Sequence, residues 1–395
     1  MRKAYRRYLI VAAVAAAAGL AAVAVLNVVI DPFGAYRLVP IAALDDFKAE
    51  AGGRIGKAET LRRGHWDVVV LGSSRAQVGV NPYDRLWGQS MVANAALGGT
   101  NIYETVRVLK YTLQVCRPRQ VIFLLDFVMF DGNRKCHPTF TQSRFNDDRG
   151  LVEYHVGNLL GAHATFASWQ VLVDWARRNP TRYDDRGHVI RYGGWLTTPA
   201  RERFERTMRQ FVRDRYRGFA YSSGRVEDFR EIVRQCTACD IELMVAVTPI
   251  HALQLETMRQ MGLWDDFERF KRDLVAVVAQ EQAARPSAPT IGLWDFTGYK
   301  SLEAEPIPPA GDMTPMKWYW ESSHFTEALG AVVLRRMLHL PTPDDVEAGD
   351  FGAPITPANI GDHLTDIRRQ RDKYARDNPA EIAAVAKMAE QFRDR

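Results

Sequence analysis

At 395 residues with a formal charge of only +5, the chain is long enough to bury one large or two medium cores, and it has no basic stripe to seat a nucleic acid. A balance of 47% hydrophobic to 25% charged residues excludes disorder as the main state.

Arg2, Lys3, Arg6 and Arg7 precede a stretch from Tyr8 to Ile30 whose apolar character is broken only by Gly19 and Asn27. About twenty such residues in helical form cross the hydrocarbon core of a bilayer. Basic residues ahead of the span keep the N-terminus in the cytoplasm. The expectation is therefore one transmembrane helix within residues 1–30, in the inner membrane, with everything after Asp31 in the periplasm. A cleaved signal peptide ending near Ala22-Val23-Ala24 is the alternative. The apolar run continues past that point to Ile30, which favours a retained anchor. Residues 31–64 read as a juxtamembrane segment with a short amphipathic stretch at 42–51.

From residue 65 the pattern alternates. Trp66 to Leu71, Met91 to Asn94, Gln120 to Asp126, Glu242 to Val247 and Thr290 to Phe296 read as short apolar strands. Helical periodicity covers 102–115, 226–240, 264–282 and 326–338. This predicts an α/β domain over 65–340, a parallel sheet of about five strands flanked by helices. Residues 132–222 interrupt it as an insertion rich in Arg, Asp, Gly, Trp and Tyr. Its Arg-dense helix, 201–217, reads as a solvated face, with contact to an anionic ligand as the alternative. Residues 341–395 read as a linker and a charged helical tail. Of the four cysteines, Cys116, Cys136, Cys236 and Cys239, an exported domain could pair some, with a connectivity the sequence does not give. Cys236 and Cys239 form a CxxC at a helix end with no second ligand pair, so these two are expected as core or groove residues, and no metal is expected.

In parallel sheets ligands gather at the carboxyl ends of the strands. There the chain carries Gly72-Ser73-Ser74-Arg75, and some 250 residues later Glu321-Ser322-Ser323-His324. A serine hydroxyl becomes a nucleophile only when an oriented base removes its proton. Ser74 is the expected nucleophile, with Ser73 as runner-up, His324 the base and Glu321 the orienting carboxylate. The Ser74 amide and the stretch Asn94 to Gly99 offer backbone donors for an oxyanion. Arg75 either binds a substrate carboxylate or pairs with a neighbouring acid. His251, after the fourth strand, is placed to touch substrate or to pack a loop. Trp318, Tyr319 and Trp320 offer rings to stack on sugars or to fill the core, Trp320 being nearest the acid.

With these blocks in this order the chain resembles the SGNH (GDSL-like) hydrolases, and within them the membrane-anchored envelope proteins related to alginate O-acetylation. Gly72-Ser73-Ser74 matches the Gly-Asp-Ser block, Asn94 to Gly99 the glycine block, and Glu321 to His324 the Asp-x-x-His block with Glu for Asp. The span followed by Asp31-Pro32-Phe33-Gly34 looks like the start of such envelope proteins. The resemblance covers roughly residues 25–340 and implies a flavodoxin-like sheet, with Gly99 as a further oxyanion donor. It also implies O-acyl chemistry, acetyl foremost, as a transferase or esterase on an envelope or exported polysaccharide, without a cofactor. A transferase would need a multi-span membrane partner to deliver the acyl donor. One departure stands out. The family's asparagine oxyanion donor has no counterpart after the third strand, which ends Leu124-Leu125-Asp126. A non-catalytic glycan-binding or assembly protein of the envelope is the rival reading.

Overall fold

The computed structural model describes residues 2–181, 183–190, 196–343, 346 and 348–393. Its centre is a six-stranded sheet in the order β2-β1-β3-β4-β5-β6. β1 (Val68–Gly72), β2 (Val92–Asn94), β3 (Gln120–Leu125), β4 (Glu242–Val247) and β5 (Gly292–Asp295) are parallel, and β6 (Ala353–Pro354) runs antiparallel to β5. Runs such as Val68-Val69-Val70-Leu71 have no polar face because both sides of a parallel sheet are covered. The five apolar strands fall where the sequence places them. The sixth lies in the segment expected as a linker. Two residues, one of them proline, carry no strand signal, and tertiary pairing with Trp294 and Asp295 alone makes them a strand.

Among the described residues, fourteen α-helices flank or extend the sheet. In chain order the first seven are α1 (Arg2–Ile30), α2 (Ala42–Asp45), α3 (Arg54–Arg63), α4 (Ser74–Gly79), α5 (Ile102–Val115), α6 (Leu151–Leu160) and α7 (Ala162–Ala176). The rest are α8 (Ala200–Phe211), α9 (Ser223–Ala238), α10 (Ala252–Gln260), α11 (Trp264–Ala284), α12 (Glu327–Met337), α13 (Ile360–Asp377) and α14 (Pro379–Arg393). The 29 residues of α1 are long and apolar enough to cross a membrane, consistent with an anchor or a signal sequence. α13 and α14 fold back onto α11 and α10, and Ile367, Val385 and Met388 join the main core. Within 132–222 lie α6, α7 and α8. The last of these continues into a π turn at Val212–Tyr216, the wider geometry often found at functional sites. All four cysteines are unpaired, and Cys236 packs in the core.

At the end of β5, Asp295 is fully enclosed between Lys271 at 2.7 Å and His363 at 2.8 Å. Nearby Glu303 is 2% exposed and has no neutralising partner for Oε2, and burial pushes its carboxyl up to about 8 from 4.5. A raised acid pKa stabilises the fold fully below the unfolded value, and that contribution is lost as pH rises through the folded one. Stability should therefore fall between about pH 4.5 and 8 by an amount on the order of a few kcal/mol. Glu303→Gln should remove that component, so thermal unfolding at pH 5 and 8 should show the variant gaining on the wild type only at the higher pH.

Candidate active site

The strand order reverses direction between β1 and β3, which opens a crevice beyond their carboxyl ends. The chain leaves β1 through Gly72, whose φ of +151° and close backbone approach admit no side chain: a Cβ there would lie 2.4 Å from the Leu124 carbonyl oxygen. This bend delivers Ser74 as the first residue of α4. Ser73 is its N-cap: its Oγ accepts from the Arg75 amide at 3.2 Å and donates to Asp126. Its hydroxyl is therefore committed to the cap and to Asp126, whereas among the described residues the Ser74 hydroxyl bonds a histidine.

That histidine is His324. Its Nε2 lies 2.8 Å from Ser74 Oγ, and its Nδ1 meets Glu321 Oε1. The Nδ1 proton belongs on the Glu321 side, which leaves Nε2 free to accept from the serine. The Glu321 carboxylate is fully buried and also accepts from the Ser323 and His324 amides, each at 2.9 Å, so it orders the loop that carries the base. Burial acts to raise its pKa. The neighbouring His324, the Ser323 amide and the Thr207 hydroxyl outweigh burial and hold it below the usual carboxylate value. Glutamate in place of aspartate thus reaches the ring without strain on the spacing, because acid and base share one short loop closed by Trp320 N–H to the His324 carbonyl at 3.0 Å.

Ser74, Glu321 and His324 line one cavity of about 210 Å³ together with Gly99, Thr100, Asp126, Arg134 and Arg215. Gly98 packs against Ser74, since a Cβ built on it lies 3.9 Å from the serine Cβ, and Gly99 follows with φ +69°. The backbone amides of Ser74 and Gly99 make no hydrogen bond with any described residue, which leaves two donors open at the cavity.

Arg75 is 5% exposed and held from three sides: Nη1 donates to Asp126 at 2.8 Å and to Thr248 at 3.3 Å, and Nη2 to Ser323 Oγ at 3.0 Å. Of the two readings of Arg75, the geometry is that of a pair with a neighbouring acid. Asp126 accepts in turn from Ser73 and Thr248, so both of its oxygens are engaged and its charge is compensated. His251 lies outside the cavity. It is 1% exposed, caps α10 by accepting from the Leu253 amide at 3.2 Å, and bonds the Glu305 carbonyl at 2.8 Å, and burial drives its pKa down to about 4. The loop-packing alternative is the one its surroundings describe. Its backbone amide also bonds the Ser322 carbonyl at 3.1 Å and so braces the base-bearing loop. Trp320 does not line the cavity either, and its neighbours Trp318 and Tyr319 are core residues.

Two cavity residues went unmarked in the sequence. Arg134 donates to the Gly99 carbonyl at 2.5 Å and to the Val128 carbonyl at 3.4 Å, with no carboxylate partner among the described residues. Burial and the neighbouring Arg215 push its pKa down to about 10, so it remains a cation at neutral pH. Arg215, on the π turn after α8, makes no hydrogen bond or ion pair with any described residue. The only advance signal was the arginine density of 201–217, and most of that helix carries its arginines elsewhere: Arg203, for example, braces the Trp320 carbonyl at 2.9 Å. Compared with protein-family models and with curated proteins, the chain matches none.

Proposed function

We propose that this is an SGNH-like acyl-transfer enzyme of the cell envelope, moving or removing O-acyl groups, acetyl foremost, on an envelope or exported polysaccharide. The observation that carries it is the relay from Glu321 through His324 to Ser74 Oγ, with 2.8 Å at the serine step, assembled from residues 250 positions apart. In this reading Ser74 Oγ attacks the acyl carbonyl as His324 Nε2 takes its proton. The tetrahedral oxyanion is met by the Ser74 and Gly99 amides. Collapse expels the sugar oxygen, which His324 protonates, and leaves the acyl group as an ester on Ser74. Water then gives an esterase; a sugar hydroxyl gives a transferase.

The missing asparagine favours the rival binding protein, since losing one oxyanion donor typically costs about 100- to 1,000-fold in rate. The geometry at that position weighs the other way: Asp126 is paired with Arg75 rather than left as a bare carboxylate facing the oxyanion. Arg134 and Arg215 add two cations to the same cavity, which suits a substrate with an anionic group near its ester. The test is acetate release from, and acetyl transfer between, acetylated oligosaccharides by the full chain in detergent, neutral and carboxylate-bearing sugars side by side. Release or transfer that needs Ser74, faster on the carboxylate-bearing sugar, is expected. Binding without turnover on either would leave the glycan-binding reading in its place.

A further inference from the structure

The exposed surface of the domain is not uniformly polar. Seven of its exposed large apolar side chains, from Leu151 to Trp175, gather on α6 and α7, the two helices that grip the end of α1. On α6, Val152, Val156 and Leu160 fall at i, i+4 and i+8 and form one outward stripe, while Tyr154 and Asn158 face inward. On α7, Phe166 is 65% exposed and Trp169 61%, whereas Ala164, Ala167, Ser168 and Val171 are buried. Trp175 is also exposed and is followed by the exposed cations Arg177 and Arg178. A monomeric water-soluble surface seldom carries such a patch without a partner.

The place of the patch says what the partner is. α1 is exposed from Arg2 to Ala22 and apolar from Tyr8 on, and over its last two turns it becomes partly buried against α6 and α7, with Asn27 and Ile30 enclosed. The junction is rigid: Asn27 is 0% exposed, donates to the Leu159 carbonyl at 2.8 Å and to Thr165 at 3.1 Å, and accepts from Ser168 at 2.8 Å. Just beyond, Asp31 accepts from the Ala35 amide at 2.6 Å and the Arg37 amide at 2.8 Å and so turns the chain away from the helix axis. The patch therefore sits at the level where a bilayer crossed by α1 must end. Tryptophans and basic residues around an apolar face are what such an interface selects.

We propose that α6 and α7 lie in the headgroup–acyl boundary of the bilayer that α1 spans, so that the domain is seated on the lipid rather than tethered above it. This rests on α1 being a retained anchor. The seat is coupled to the cavity through buried contacts. Tyr154 on α6 donates to Glu59 on α3 at 2.8 Å. From the same helix Arg54 reaches Glu104 at 2.7 Å and the Gly98 carbonyl, beside Ser74, at 3.3 Å. A docked hairpin thus holds the Ser74 cavity in one orientation to the membrane, which suits an enzyme that takes its acyl donor from a membrane partner.

The test uses full-length protein in vesicles of phosphatidylcholine and phosphatidylglycerol, with and without brominated acyl chains that quench tryptophan. α1 contains no tryptophan, so its insertion is silent, and Trp169 and Trp175 are the exposed tryptophans among the described residues. Strong quenching of the wild type is expected, with most of it lost in W169F/W175F, whose circular dichroism should be unchanged. Vesicle flotation is read in parallel. Protein that floats but is not quenched, or is quenched equally in the double variant, would overturn the seat while leaving the anchor standing. Protein that does not float would overturn the anchor, and the seat with it.

Discussion

Ser74→Ala and His324→Ala should each lower acyl release or transfer by on the order of 10⁴-fold or more, because members of such a relay act as a unit. Neither change should disturb the fold. Among the described residues the Ser74 hydroxyl bonds His324, whose ring bonds Ser74 on one side and Glu321 on the other. Combining the two should cost little more than either alone, which separates a shared catalytic unit from two independent packing losses. Glu321→Gln is a different case. It removes the charge that opposes the developing imidazolium, and it places an amide where two backbone N–H groups now converge on a carboxylate. Loss of about 10⁴-fold is expected from the wrong tautomer alone, together with a lower unfolding midpoint because the Trp320–His324 loop loses its internal acceptor. Kinetics on an activated acetyl ester and thermal unfolding of the same preparations distinguish the two losses.

The second large effect is on stability. Asp126→Ala should destabilise the protein by about 3–5 kcal/mol, the usual cost of leaving one member of a buried ion pair uncompensated. Arg75 would then be enclosed with hydroxyl partners only, since Thr248 and Ser323 carry no charge. Ser73 would also lose the acceptor of its hydroxyl. Replacing both partners by apolar residues of similar volume, Arg75→Met with Asp126→Leu, should recover part of the loss, as apolar replacements of buried pairs generally do. Denaturant unfolding of the two single variants and the double closes the cycle. A near-neutral Asp126→Ala would mean that the cluster beneath α4 is not what holds the nucleophile turn.

The parallel strands were legible because a sheet covered on both faces must be written as unbroken apolar runs, and Val68 to Leu71 and Val121 to Leu125 are such runs. Their order along the chain also put Ser74 and His324 at the same edge, which is why a serine and a histidine 250 positions apart were recognisable as neighbours. What depended on side-chain direction was not legible. Arg75 adjoins the nucleophile in sequence, yet a residue next to the first position of a helix points away from it, and here it points into the Asp126 cluster. His251 and Trp320 sit beside site residues in sequence or at the same sheet edge, but the His251 ring packs between Phe204 and Tyr319, and Trp320 does not line the cavity. Arg134 reaches the cavity through bonds to two backbone carbonyls, and Arg215 through a π turn. Neither leaves a trace in residue spacing. β6 had no signal of its own to read.

The central claim is that Ser74 is an activated nucleophile. The most direct test is the intact mass of the full-length protein in detergent after exposure to a serine-reactive fluorophosphonate, with Ser74→Ala and His324→Ala alongside. One adduct on the wild type, absent from both variants, is the predicted result. A folded wild-type protein that takes no adduct, or one whose adduct survives the loss of Ser74, would contradict it.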